Sequence, residues 1–244
     1  MDYDVLSQDY DLTRSIHMDT LKRILARTDF RPDTTVLDFG CGTGNYACAI
    51  KKLTNAVVFG VEPSDGMRAK AQAKGMDITF LKGDHTGIPV ADGSVDLLYM
   101  TDVIHHIPDL RAMFRAFHRA LKPEGLICIL TESHQQIESR FWSAYLPATI
   151  AAEQTRYPDI DSIIAAATDC GLALHELETT DTPRQTQISA DFVKLVENKG
   201  FSMFRLISDA EFESGLASLK ADFEQGVVID TTHGESLVWF AKKG

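Results

Sequence analysis

The chain has 244 residues, 44% hydrophobic and 24% charged, with a formal net charge of -11. That is enough apolar material for a sizeable core in one large domain, or in one domain carrying an insertion. The acidic balance argues against a polyanion as the main partner, because phosphate binding shows as a basic patch. No nucleic acid is expected, and a small-molecule partner is favoured. Cys41, Cys48, Cys128 and Cys170 show neither C-x-x-C spacing nor a companion histidine pattern for zinc, which suits reduced thiols in a reducing compartment. The N-terminus, Met1-Asp2-Tyr3-Asp4, is acidic rather than signal-like, and no apolar run approaches about 18 residues. A cytoplasmic protein with no membrane segment is expected.

Ile16, Leu21, Ile24 and Leu25 repeat at helical spacing, and Arg31-Pro32-Asp33 breaks that helix. Thr35 to Phe39 reads as a first strand buried on both faces. Gly40-Cys41-Gly42-Thr43-Gly44 follows, then a helix from Asn45 to Leu53. Ala56 to Val61 is the second strand. Ser64 can cap a helix running to about Lys74, where Gly75 ends it. Ile78 to Leu81 is a third strand, and residues 83 to 93 form a loop rich in Gly, Pro and Asp. Val95 to Met100 is a fourth strand, followed by a helix from Leu110 to Leu121, a turn at Lys122-Pro123-Glu124-Gly125 and a fifth strand from Leu126 to Leu130. Alternating strands and helices imply crossover connections and a parallel sheet with helices on both faces.

Beyond Thr131 the pattern changes. Helices are expected over Gln135 to Ala152 and Ile160 to Thr168, and a sixth strand over Leu172 to Leu177. Helical patterns recur over Ser189 to Lys199 and Asp209 to Phe223, and Leu237 to Ala241 closes the chain as a last strand. The long separation before that strand reads as a helical insertion rather than a hairpin loop.

The stretch Val36 to Tyr46 is the densest signal in the chain. A strand that feeds a glycine turn and a helix N-terminus is a ready site for a nucleotide-like ligand at the carboxyl edge of a parallel sheet. Two further acids lie downstream: Glu62 at the second strand's tip and Asp84 after the third strand. The spacing is G-x-G-x-G. The third glycine of the dinucleotide fingerprint G-x-G-x-x-G would fall at Asn45, which makes an NAD-dependent oxidoreductase the lesser alternative.

Together, Asp38 with Gly40-Cys41-Gly42-Thr43-Gly44, Glu62, Gly83-Asp84 and the run Ile88 to Asp96 resemble a class I S-adenosylmethionine-dependent methyltransferase of the small-molecule type. The resemblance covers about Thr35 to Thr131 motif by motif. It implies an α/β, Rossmann-like doubly wound sheet of seven strands, the last antiparallel, with helices on both faces and a helical cap. Residues 1-244 would form a single methyltransferase domain, with its core at about 31-180 and 235-244 and its cap from 1-30 and about 181-234.

The implied cofactor is S-adenosyl-L-methionine. Its site would comprise Asp38, Gly40, Cys41, Gly42, Gly44, Glu62, Pro63, Met67, Asp84, His85, Thr101 and Asp102. Glu62 would bind both ribose hydroxyls, Pro63 and Met67 would line the adenine side, and Asp84 would accept from the adenine amino group. Asp38 has two candidate tasks, ordering the glycine loop or attracting the cationic end of the cofactor. Thr101 and Asp102 lie where the methionine portion would pass.

Methyl transfer to a protic acceptor can use a general base. His106, in the pair His105-His106, competes for that role with Glu132 and His134 beyond the fifth strand. Tyr10, Arg14, Trp142 and Tyr145 are candidate lid or substrate contacts. Thr101-Asp102-Val103-Ile104 stands where many base- and amide-methylating enzymes of this class carry Asn/Asp-Pro-Pro-aromatic, which tilts the acceptor atom toward oxygen or carbon. No clustered acids or cysteine pairs suggest a metal. The expected partner is a small-molecule acceptor, and the expected state is a monomer or homodimer. A catalytically idle cofactor-binding module, regulatory or scaffolding, is the alternative in another class.

Overall fold

The computed structural model describes residues 16–180, 183–231 and 234–243. In chain order the elements are α1 Met18–Leu25, β1 Thr35–Phe39, α2 Asn45–Leu53, β2 Val57–Val61, α3 Asp65–Ala73, β3 Thr79–Leu81 and β4 Val95–Thr101. Then come α4 Leu110–Ala120, β5 Leu121–Thr131, α5 His134–Glu138, α6 Ala148–Arg156, α7 Ile160–Asp169 and β6 Leu172–Thr179. The chain ends with β7 Arg184–Gln187, α8 Ala190–Glu197, α9 Asp209–Glu224, β8 Val228–Thr231 and β9 Ser236–Lys242. Two compact units form. The first takes the described residues up to 131, with 161–177 and 237–243; the second takes those of 132–160 and 178–236.

The first unit is built on a seven-stranded sheet of order β3-β2-β1-β4-β5-β9-β6. Strands β1 to β5 pair in parallel, and the last strand, β9, is antiparallel. β1 reads Thr-Val-Leu-Asp-Phe with four of its five residues buried, as a central strand covered on both faces must be. One face packs Val36, Val58, Leu97, Cys128 and Trp239 against Leu21 and Ile24 of α1 and Ala47 and Ile50 of α2. Elsewhere in the unit the packing is aromatic. Phe39 meets Phe117 edge-on at 5.0 Å, and Phe114 meets Phe240 at 5.6 Å. Each fully buried Leu or Phe adds about 1.5–3 kcal/mol. The register sets Asp38 opposite Gly60 of β2 and Tyr99 of β4. Ser64 caps α3 by accepting from Met67 N at 3.1 Å, and Gly75, at φ +64°, follows its end.

The second unit has its own core, in which Leu146, Ile188, Val196, Phe204, Phe212 and Leu219 pack together. Gly215 allows α9 to approach the chain at Tyr145 and Leu146. A Cβ there would lie 2.3 Å from Leu146 Cδ2 and 2.4 Å from Tyr145 O.

Three expectations are corrected. The single helix over residues 135 to 152 is three shorter pieces, α5, a 3-10 turn at Phe141–Ala144 and α6. Arg140 is extended (ψ 133°) and Pro147 is the N-cap of α6, so the backbone turns at both places. The turn at residues 122–125 lies within β5, which pairs Leu121 with Val95 and Leu126 with Leu97 across a bulge. The segment read as a helical insertion also contains an antiparallel pair outside its two expected helices, β7 with β8, in which Arg184 pairs with Thr231 and Gln187 with Val228. Among the described residues no helix is long and apolar enough to cross a membrane.

Candidate active site

The parallel sheet brings the carboxyl ends of β1, β2, β3 and β4 to one edge, and the loops there enclose a cavity of about 160 Å³. After Phe39 the chain turns sharply. Gly40 N and Cys41 N both donate to Val61 O, at 2.8 and 3.1 Å, which ties the loop to the tip of β2. Gly40, Gly42 and Gly44 all have positive φ, at 71°, 54° and 77°, and Gly44 is the N-cap of α2. Glycine is the residue that adopts these angles without strain.

Glu62 is 8% exposed. Its Oε2 accepts from Gly42 N at 3.0 Å and its Oε1 from Ser64 N at 2.9 Å. Two backbone amides thus give the carboxylate a single orientation, the condition for bidentate binding of vicinal hydroxyls.

Asp38 lies at the root of the loop, 2% exposed. Its Oδ2 and the Tyr99 hydroxyl beside it in the register are buried and have no partner within hydrogen-bond geometry among the described residues. Burial pushes the Asp38 carboxyl up to about 7. The nearby Tyr99 hydroxyl and Ala47 amide offset part of this, and the Glu62 charge adds to it. Burial, together with the charges of Asp38 and Glu62, also pushes the Cys41 thiol well up, which disfavours its thiolate form. Unmet buried polar atoms beside a glycine loop fit a site completed by a polar guest.

On the opposite side, Asp84 Oδ1 accepts from Thr86 N at 2.8 Å and from Thr86 Oγ1 at 2.6 Å. These bonds hold the carboxyl below the usual carboxylate range. At the end of β4 Asp102 takes φ 56°, one of two non-glycine residues with positive φ among those described. Such a turn at the cavity wall is local strain of a kind found at functional sites.

The cavity is lined by Gly40, Gly42, Glu62, Pro63, Met67, Asp84, His85, Asp102 and His106 from the expected set. Phe39, Val61, Gly83, Val103 and Ile107 complete the wall. Asp38, Cys41, Gly44 and Thr101 are not among the lining residues. Val103 had a signal in the sequence only in its place in the segment after the fourth strand, next to Asp102. Ile107 and Val61 had none beyond being apolar.

The rings of His105 and His106 lie with their centres 3.9 Å apart, tilted by 52°. Glu132 and His134 belong to the second unit. Glu132 takes two guanidinium nitrogens of Arg140, one at 2.9 Å, and Arg140 also reaches Glu153 at 3.1 Å. Burial alone would lower the guanidinium's pKa, but the bonds and charge of Glu132 outweigh it and raise it. His134 Nε2 lies 2.8 Å from Tyr157 O. Trp142 stacks on Phe201 at 5.5 Å, and Tyr145 donates to Asp222 at 2.8 Å. Burial and that bond push the tyrosine up to about 12. Tyr10 and Arg14 lie outside the described residues. Among the described residues no group of three His, Cys, Asp or Glu side chains is arranged to hold a metal.

Residues 37–129 match the family described as Methyltransferase domain. That match takes in 93 of the 244 residues, so the likeness is to a methyltransferase domain over this segment. The chain is 36% identical over 109 residues to the sterol 24-C-methyltransferase of Pneumocystis carinii, covering 42% of this chain and 29% of that protein. It is 37% identical over 109 residues to an uncharacterized methyltransferase of Oceanobacillus iheyensis, covering 43% and 50%. Among solved structures, a protein of Anabaena variabilis described as a methyltransferase from an antibiotic biosynthesis pathway superposes with a TM-score of 0.72. The two are 21% identical, with 93% of this chain and 98% of that one covered. The chain spans half or less of the length of the curated relatives it matches. One solved structure of similar fold, the geranyl diphosphate C-methyltransferase of Streptomyces coelicolor, holds S-adenosyl-L-homocysteine; it is 14% identical, with a TM-score of 0.58, and 93% of this chain and 79% of that one are covered.

Proposed function

We propose that the chain transfers the methyl group of S-adenosylmethionine to a small, uncharged or cationic acceptor, at oxygen or carbon ahead of nitrogen. The observation that carries this reading is the Glu62 carboxylate, fixed by the amides of Gly42 and Ser64 on the wall of the cavity. Glu62 binds the ribose hydroxyls. Asp84, with Oδ1 committed to Thr86, offers Oδ2 to the adenine amino group. The backbone of His85 and the side chains of Pro63 and Met67 form the base's apolar walls.

Bound S-adenosylmethionine supplies a methyl group already activated on a sulfonium. The chain's part is to orient the reactants, exclude water and, for a protic acceptor, take a proton. His106, one of two histidines on the cavity wall, takes that last task in this reading. Among the described residues the wall carries the carboxylates of Glu62, Asp84 and Asp102 and no lysine or arginine. That lining favours a cationic cofactor and supports an acceptor that brings no anionic group to this cavity. A cytoplasmic monomer or homodimer acting without nucleic acid fits the composition.

Calorimetric titration with S-adenosylhomocysteine tests the cofactor assignment. Glu62→Ala and Gly42→Val should each weaken binding at least about tenfold, or roughly 1.4 kcal/mol. Unchanged affinity in both variants would sink it. A metabolite screen for transfer of a labelled methyl group then identifies the acceptor. Tight binding with no transfer to any metabolite would favour the idle cofactor-binding module.

A further inference from the structure

The turn that carries Glu62 is itself held by a side chain outside the cavity wall. Arg68, in the first turn of α3, donates from one guanidinium nitrogen, Nη1, to Glu62 O at 2.9 Å and to Pro63 O at 3.1 Å. Its Nη2 pairs with Asp65. The Arg68 side chain is 14% exposed, so these bonds are partly shielded from water. Asp65 is held in turn by Lys82 Nζ, at 3.1 Å from both carboxylate oxygens. The bonds to Arg68 and Lys82 keep the Asp65 carboxyl below its ordinary range.

We propose that Arg68 is a positioning residue for the cofactor: it fixes the backbone of Glu62 and Pro63 so that the Glu62 carboxylate keeps its orientation. This rests on the reading of Glu62 as the ribose ligand. Both ends of Glu62 are then pinned, the carbonyl by Arg68 and the carboxylate by Gly42 and Ser64. The planar fork of arginine serves two carbonyls and one carboxylate together. A lysine ammonium is a point charge on a flexible stem and does not reproduce that fork.

The test is a double-mutant cycle on S-adenosylhomocysteine affinity, read by calorimetry beside thermal unfolding. Arg68→Met should weaken binding about tenfold while the thermal midpoint moves little, and Arg68→Lys should restore less than half of the loss. In a Glu62→Gln background, Arg68→Met should weaken binding less than twofold, because the group it positions is already impaired. A full tenfold loss in that background would overturn the proposal, as would unchanged affinity in Arg68→Met alone. If Arg68→Met unfolds, the same comparison is made with Arg68→Lys. Wild-type protein that fails to bind S-adenosylhomocysteine would overturn the cofactor reading itself. Binding that depends on Glu62 but not on Arg68 would overturn only the role of Arg68.

Discussion

Val103 leaves no room for a side chain on Gly40. A Cβ at Gly40 would come within 2.6 Å of Val103 Cγ2 and 2.7 Å of Val103 Cγ1, and the residue sits at φ +71°. The glycine therefore answers two demands at once, a left-handed backbone and contact between the loops after β1 and β4. Both loops line the cavity, so a disturbance at this contact reaches the cavity wall directly.

Gly40→Ala should accordingly destabilise the protein by about 2–5 kcal/mol, from left-handed strain of roughly 1–2 kcal/mol and overpacking of about 1–3 kcal/mol. Val103→Ala added to it should recover the overpacking part and leave the strain. Urea unfolding of the two single variants and the double variant separates these contributions. Additive losses in the double variant would show that the contact with Val103 is not what restricts position 40.

Much of this arrangement was legible from residue order alone. Thr35–Phe39 and Asn45–Leu53 form the strand and helix that their pattern implies, because a buried parallel strand and a glycine-led helix leave strong local marks. Glu62, Asp84 and Asp102 reach the cavity through the parallel topology, which places every β-to-α loop of this half on one edge. The pair β7 and β8 was not legible, since Arg184-Gln185-Thr186-Gln187 has no apolar alternation and its partner is over 40 residues away. The break at Arg140 was hidden for a different reason. A buried guanidinium that collects two carboxylates and lies over the rings of Trp142 and Tyr157 is a tertiary arrangement with no local signature.

That guanidinium yields a second prediction. Glu153 is 4% exposed at its side chain and Glu132 13%, and Arg140 bonds both. Arg140→Met would leave Glu132 without its bidentate partner and Glu153 with only Arg156, at 2.7 Å. Removing one member of a buried charge network costs about 3–5 kcal/mol. Chemical denaturation followed by tryptophan fluorescence should show a lower midpoint with an unchanged slope. A loss below about 1 kcal/mol would mean that the network contributes little to the second unit.

A third prediction concerns the base. His106 lines the cavity, while His134 lies against the carbonyl of Tyr157 in the second unit. For a hydroxyl or other protic acceptor, His106→Asn should lower kcat by roughly 10²–10⁴ and abolish the acid limb of the pH–rate profile. His134→Asn should chiefly lower stability, by about 1 kcal/mol for the lost hydrogen bond. Once an acceptor is identified, a profile left intact by His106→Asn would remove this residue from the chemistry. An acceptor whose methylation releases no proton would show no effect of His106 on kcat.

Asp38 gives the last prediction, and its sign follows from burial. The carboxyl is raised from 3.8 to about 7 in the fold, so the folded state favours its protonated form. Between about pH 4 and pH 7 the folded protein holds a proton that the unfolded chain has released. The contribution of Asp38 is therefore most favourable below about pH 4 and is lost as pH rises through about 7, by up to roughly 4 kcal/mol. Asparagine does not titrate, so Asp38→Asn should remove this fall with pH while other groups continue to act. Urea unfolding of both proteins at half-unit steps from pH 4.5 to 8 is the measurement, with the steps chosen to bracket the roughly three-unit shift. Parallel pH dependences in the two proteins would show that Asp38 is not held protonated, and that Tyr99 and the Ala47 amide stabilise its charge more than burial opposes it.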